Sequence, residues 1–260
     1  MITKDRNFDD LAERFARNIY GSAKGEIRLA VVWNHLITRL PQLQQGPPLR
    51  ILDAGCGFAQ LGLRLAQLGH EVVLSDVSQK MLAGAKAQAA TLQLENNIQF
   101  IQAPVQALST DELGQFDLIL FHAVLEWLVQ PRATLCQVLD LLKPQGHLSL
   151  MFYNRDALIF HNLKRGNWRK VESGELQGEE GGLTPYHPLS LGEVEGWLAE
   201  WGMAIEGRAG VRVVYDYMTR AMRDARPLED MVRLELLYAE REPYLRMGRY
   251  LHLLAKKGNE

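Results

Sequence analysis

The sequence predicts an α/β fold, a doubly wound and mainly parallel sheet with helices on both faces. Three observations carry this: short apolar runs recur from Leu49 onward, helical patterns separate them, and the first run ends in a glycine turn, Ile51 to Gly57, reading ILDAGCG. Nearly continuous apolar runs are what strands look like when helices cover both faces, and strict strand–helix alternation implies parallel crossovers. Strands are expected at 49–53, 71–75, 98–101, 116–121 and 146–153, with helices at 60–68, 78–93 and 131–142 between them.

Two helices are expected ahead of the first strand. FDDLAERFARNI, Phe8 to Ile19, repeats apolar residues at helical spacing with Asn7 as its cap, and a second helix runs from Ser22 to about Leu40, where Pro41 stops it. After Asn154 the rhythm breaks. A helix from Arg155 to about Lys164 gives way to ESGELQGEEGG, Glu172 to Gly182, a polar, glycine-rich and acidic stretch that reads as a mobile loop with no core to bury. Ser190 caps a helix from Leu191 to Trp201, Met203 to Tyr215 reads as a strand, Tyr217 to Arg241 as one or two inserted helices around Pro227, and Gly248 to Ala255 as a last strand. No internal repeat is visible.

With 260 residues and 47% apolar content, the chain can bury the core of one domain with an accessory lobe. Its two cysteines, Cys56 and Cys136, suggest neither a disulfide framework nor a zinc site, and point to a reducing cytoplasm. Met1 to Asp10 mixes charges without an apolar core, and no apolar run reaches membrane-spanning length. A formal net charge of −2 gives no whole-molecule attraction for nucleic acid. Locally, Lys164, Arg165, Arg169 and Lys170 crowd around Trp168, and Arg208, Arg212, Arg220, Arg223 and Arg226 recur later. These form an ordinary solvated surface or, if they share one face, a basic patch.

Chemistry concentrates at the strand ends. Gly55 and Gly57 let the backbone turn sharply and approach a ligand with no Cβ in the way, and Asp76, ending the next strand, can accept both hydroxyls of a ribose. A dinucleotide site would carry a third glycine where this chain has Gln60. The pocket therefore suits adenosine joined to an amino acid better than two nucleotides. Asp53 supports the turn or meets an amino group, Ser78 is an N-cap, and Val105 and Gln106 lie where backbone and side chain cover an adenine. His122, in FHAVLEW just past the fourth expected strand, either contacts a ligand carboxylate or acceptor or is structural, while Glu126 and Trp127 read as packing and orienting residues.

LDAGCG, DVSQKML (Asp76 to Leu82) and LKPQGHL (Leu142 to Leu148) resemble three motifs of class I S-adenosylmethionine-dependent methyltransferases. That resemblance implies the Rossmann-like class I methyltransferase fold, with seven strands, an antiparallel last strand and S-adenosyl-L-methionine as cofactor. A narrower one spans nearly the whole chain. DRNFDDLAERF at Asp5 to Phe15, NIYG at Asn18 to Gly21, Lys24 with Gly25, FHAVLEW, LMFYN at Leu150 to Asn154, GVRV at Gly210 to Val213, Asp216 with Tyr217, Glu242 to Tyr244 and GRYLH at Gly248 to His252 look like the bacterial tRNA wobble carboxymethoxyuridine methyltransferases.

Membership would imply a cytoplasmic enzyme, monomer or weak dimer, without metal or membrane. It would esterify the carboxylate of carboxymethoxyuridine in the tRNA anticodon stem-loop. Cofactor contacts in that family match Arg28, Gly55, Cys56, Asp76, Val105, Gln106 and His122, and Asp53 and Gly57 sit in the same turn. A carboxylate acceptor, with a pKa of about 4, is ionised at neutral pH and needs clamping, not a base. Arg212, Arg249 and Arg28 are the candidate clamps, with hydroxyls of Tyr153, Tyr215, Tyr217 or Tyr250 sharing the task; Arg212, Tyr215, Arg249 and Tyr153 are assigned to catalysis. The flipped-out base would stack on an aromatic ring.

Within a single domain over 1–260, residues 1–45 are expected to form a helical cap, 155–189 a mobile loop and lid, and 216–243 a helical insertion. Two departures stand out: Ala59 replaces a glycine common in relatives, and Glu172, Glu175, Glu179 and Glu180 occupy a loop that is lysine-rich in some of them. Carboxylates there repel phosphate, so either this loop swings away from the tRNA or the anticodon stem is held elsewhere, on 164–170 and the inserted helices. Alternatives are a methyltransferase for a small-molecule carboxylate or lipid intermediate, a non-catalytic RNA-binding scaffold and, least favoured, a nicotinamide oxidoreductase.

Overall fold

The computed structural model describes residues 4–10, 21–178, 182 and 184–259. Its centre is a seven-stranded sheet in the order β3-β2-β1-β4-β5-β7-β6. The strands are β1 (Arg50–Ala54), β2 (Glu71–Asp76), β3 (Ile98–Gln102), β4 (Phe116–His122), β5 (Leu142–Tyr153), β6 (Met203–Val211) and β7 (Tyr250–Lys257). Strands β1 to β5 pair in parallel, and β7 inserts antiparallel between β5 and β6. Chain order reverses between β1 and β4, and it is at such a switch that the loops leaving the strands' C-terminal ends part to leave a crevice.

Alternation along the central strands explains why they are apolar throughout. Leu52, Ile119 and Leu150 enter one buried cluster, while their neighbours Ile51, Leu118 and Met151 enter the other, so each strand feeds a core on both faces. Helices α1 (Ala23–Arg39), α2 (Gln60–Gln67), α3 (Gln79–Thr91), α4 (Pro131–Asp140), α5 (Arg155–Lys164), α6 (Leu191–Glu200) and α7 (Leu228–Tyr238) cover the sheet. Their starts follow local capping chemistry. Ser22, Ser78 and Asn154 each accept a first-turn amide, and Ser190 with Glu193 closes a reciprocal capping box. Among the described residues, no helix is long and apolar enough to cross a membrane.

Several boundaries differ from expectation. Strand β5 starts at Leu142 rather than 146, because a register shift beside Phe116 lets Leu142 pair there, and α4 ends at Asp140 to allow it. Strand β6 stops at Val211 rather than Tyr215. Arg212 takes a left-handed φ of 62°, and the buried Glu235 carboxylate of α7 accepts the amides of Val213, Val214 and Tyr215 at 2.7, 3.0 and 2.7 Å. Strand β7 begins at Tyr250 rather than 248, since a tight helical turn over Tyr244–Met247 is capped at Gly248, which packs too closely on the Gly210 and Val211 backbone to carry a side chain. The 172–182 loop is not coreless, for Leu176 is buried in it. In the helix expected over 8–19, the Asn7 carboxamide accepts the Asp9 amide at 2.9 Å, and 11–20 lie outside the described residues.

Candidate active site

Strand β1 runs into the glycine turn, and the turn's conformation is what glycine permits: Gly55 and Gly57 have φ of 70° and 55°. A Cβ on Gly55 would sit 2.4 Å from Val124, so the loop after β4 closes directly on this backbone. Ala59 follows at φ 54°, a left-handed geometry that explains why a glycine suits this position. Asp76 stitches the turn together. One carboxylate oxygen accepts the Gly57 amide and the other the Ser78 amide, both at 2.8 Å, while burial pushes its pKa up.

Two adjoining cavities open here, sharing Arg28, Gly55 and His122. Asp53 and Cys56 border the smaller; Gly57, Asp76, Val105 and Gln106 border the larger. All nine residues expected at the cofactor therefore meet in one crevice. A sulfonium-bearing adenosine fits it: a buried acid closes one end, bare glycine backbone lines the floor, and Met81, Val105 and Leu128 give apolar walls.

At the smaller end, Asp53 lies against the Gly62 backbone, and burial, then the neighbouring Asp76, raise its pKa to about 7. Burial raises the Cys56 thiol as well, which argues against a thiolate nucleophile. His122 bonds Ser149 Oγ through Nε2 at 2.7 Å, and burial, assisted by Arg28, lowers its pKa to about 3, so the ring is neutral. Glu126 is completely buried, and neither carboxylate oxygen has a well-formed hydrogen bond among the described residues. Burial raises it to about 8.

The sequence reading missed the strap over the larger cavity. Residues 5–8 line it, with Asp5 accepting from the Val129 amide at 2.6 Å and from Gln106 at 2.8 Å, the Arg6 amide donating to Trp127 O, and the Phe8 ring edge-on to Trp127 at 4.9 Å. Asp9 accepts the Ser78 hydroxyl at 2.6 Å. Each bond joins residues far apart in the chain, so the only signal in the sequence was the DRNFDD motif itself.

Beyond the cavity stands the cationic group expected to act on an acceptor. Tyr250 lines the larger cavity; Arg212 lies 5.4 Å over its ring and Tyr153 meets it edge-on at 5.3 Å. Arg249 donates to Tyr153 Oη at 3.0 Å and to Asp216 at 3.0 Å, and Arg212 pairs with the same Asp216 at 3.2 Å. Lys24 joins them. Its pKa is lowered by burial and then by Arg212, while for Asp216 the two guanidiniums outweigh burial and hold the carboxyl low. Asp216 is thus one carboxylate among Lys24, Arg212, Arg223 and Arg249. Tyr215 joins this group through Arg223, whose guanidinium lies 4.9 Å over its ring. Tyr217 is not available as a hydroxyl donor to an acceptor, because it donates to Met247 O at 2.6 Å.

Comparison with known proteins agrees with this geometry. The methyltransferase domain family model matches residues 46–184. The tRNA 5-carboxymethoxyuridine methyltransferase of Escherichia coli strain K12 is 42% identical over 255 residues, covering 98% of this chain and 97% of that protein. By contrast, the ubiquinone biosynthesis O-methyltransferase of Acinetobacter baylyi is 30% identical over 107 residues, 41% of this chain and 44% of its own. A crystal structure of magnesium protoporphyrin IX methyltransferase from Synechocystis PCC 6803 with bound SAH superposes with a TM-score of 0.63 at 20% identity, covering 96% of each chain. The likeness to the tRNA enzyme thus runs through nearly the whole chain, past the common core, and this chain belongs to the tRNA 5-carboxymethoxyuridine methyltransferase family.

Proposed function

We propose that this protein transfers the methyl group of S-adenosyl-L-methionine to the carboxylate of carboxymethoxyuridine at the tRNA wobble position, forming the methyl ester. The observation that carries the reading is the 42% identity running through 98% of the chain, together with cations clustered beyond the crevice. In this reading Asp76 holds the ribose hydroxyls, Val105 and Gln106 cover the adenine, and the Gly55–Gly57 backbone with Arg28, Asp53 and His122 holds the amino-acid end.

The bound cofactor supplies an electrophilic methyl group. The acceptor carboxylate is already ionised, so the protein's work is alignment and neutralisation without over-stabilising the nucleophile. Arg212 and Arg249 are suited to that because Asp216 already takes part of their charge. Tyr153 and Tyr250 offer hydroxyls beside them, and Tyr215 lies under Arg223. The base would stack on an aromatic ring of this group.

For the RNA, we assign the face formed by α5 and the segment 164–170. Trp168 is 63% exposed, Phe160 and Leu163 are exposed beside it, and Lys164, Arg165, Arg169 and Lys170 supply cations. Lys164 donates to Tyr217 O at 3.0 Å, which ties this face to the cationic group. Residues 1–45 then act as a cap, 155–189 as a lid and 216–243 as an insertion of one domain, in a cytoplasmic monomer or weak dimer. Incubating purified protein with labelled S-adenosylmethionine and tRNA from a strain lacking the ester, then digesting to nucleosides, tests the reading by mass spectrometry. It predicts conversion of the free acid to its methyl ester; label on low-molecular-weight acids alone would reject it.

A further inference from the structure

A continuous hydrogen-bonded chain leads from the crevice into the core behind it. His122 Nε2 meets Ser149 Oγ at 2.7 Å, Ser149 Oγ meets His252 Nε2 at 2.7 Å, and His252 Nδ1 meets His35 Nδ1 at 2.7 Å. The rings are edge-to-face, His122 to His252 at 5.5 Å and His252 to His35 at 4.9 Å. Ser149, His252 and His35 are buried, on β5, β7 and α1, and only His122 reaches the crevice. Burial depresses all three histidines, His35 to about 4 and His122 to about 3, so each ring is neutral and carries one N–H and one lone pair.

Neutral rings leave few ways to place the protons. His35 Nε2 is buried with no partner among the described residues. If that atom bore the proton, a buried N–H would be orphaned, the rarer and costlier defect. With the proton on Nδ1 instead, His35 donates to His252, whose proton must then lie on Nε2 and point at Ser149. The serine hydroxyl, having accepted that bond, donates onward to His122 Nε2. Reversing only the last link would leave the Ser149 hydroxyl proton with no acceptor in a fully buried place. His122 is left with its proton on Nδ1, the ring nitrogen that takes no part in the Ser149 Oγ bond.

We propose that Ser149, His252 and His35 are positioning residues that lock His122 as a neutral Nδ1–H donor facing the crevice, where it binds a carboxylate oxygen. Neutrality matters in that place: an imidazolium would repel a sulfonium and blunt an anionic acceptor, whereas an N–H adds direction without charge. Arg28, beside it, supplies the charge. Only the identity of the carboxylate, the cofactor's amino-acid end or the acceptor, rests on the methyltransferase reading; the proton order does not.

Two-bond ¹⁵N–¹H correlation spectra of the histidine-labelled free protein at neutral pH test the order directly. The expected pattern for His122 is protonated Nδ1 and unprotonated Nε2; a protonated Nε2 overturns the proposal, whatever the enzyme methylates. Ser149→Ala should release His122 into a mixed tautomer pattern and weaken carboxylate binding about tenfold, and Ser149→Thr, which keeps the hydroxyl, should restore both. Calorimetry with S-adenosylhomocysteine separates the sources. A weaker Kd assigns the carboxylate to the cofactor, and an unchanged Kd with a raised KM for tRNA assigns it to the acceptor. A folded Ser149→Ala protein with wild-type tautomer, Kd and KM would overturn the proposal.

Discussion

The two ends of the crevice are made of different material. At the glycine turn, ligand-facing groups are mostly backbone, steadied by buried acids whose pKa values are pushed up, Asp53 to about 7 and Asp76 in the same direction. Around Asp216, they are long cationic side chains crossed over tyrosine rings, and the Asp216 carboxyl among them is pushed down. The first end is built for a ligand of fixed shape, read by contour. The second is built for charge, and the cations proposed to attract a carboxylate are kept partly satisfied by Asp216.

If the ends are independent, variants should separate them. The largest effect is expected for Asp76→Ala, which removes the proposed ribose acceptor and orphans the Gly57 and Ser78 amides. Its Kd for S-adenosylhomocysteine should rise on the order of 100-fold by calorimetry, with tRNA binding kept. Next comes Arg212→Ala, expected to lower the methylation rate about 10- to 100-fold while cofactor affinity stays within about twofold. Equal losses in both quantities would merge the two ends into one.

A third variant sharpens the acid side. Glu126 has a folded pKa of about 8 against an ordinary 4.5, so the folded protein binds its proton more tightly than the unfolded chain does. Its contribution to stability is therefore full below pH 4.5 and is lost as pH rises from there through 8. Glu126→Gln should flatten this decline, melting higher than wild type at pH 8.5 relative to pH 5, by about 2–4 °C for each kcal/mol involved. The smallest effect is expected for Ala59→Gly. Relief at a left-handed φ is offset by greater freedom of the unfolded chain, leaving a gain of about 1 kcal/mol or less in urea titrations.

Local chemistry made the first end readable. The ILDAGCG turn, the acid closing β2 and the Ser78 cap each follow from a few neighbouring residues, and the apolar runs placed every strand within a few positions. The second end depends on partners remote in sequence. Nothing near Tyr217 announces that its hydroxyl is spent on Met247, and nothing near Arg249 that it shares Asp216 with Arg212. The strap has the same character: Asp5 bonds across 101 and 124 residues to Gln106 and Val129. Motifs flagged these residues, but only folding reveals their partners.

Glu235 has a bearing on how such proteins can be recombined. By gathering three successive amides after β6, this acid decides where the sheet stops and hence where Arg212 emerges. The segment that carries it cannot be exchanged as a loose cassette between relatives. A chimera would need an incoming helix with an acid at the matching turn, or the guanidinium would emerge out of register with the tyrosine beneath it.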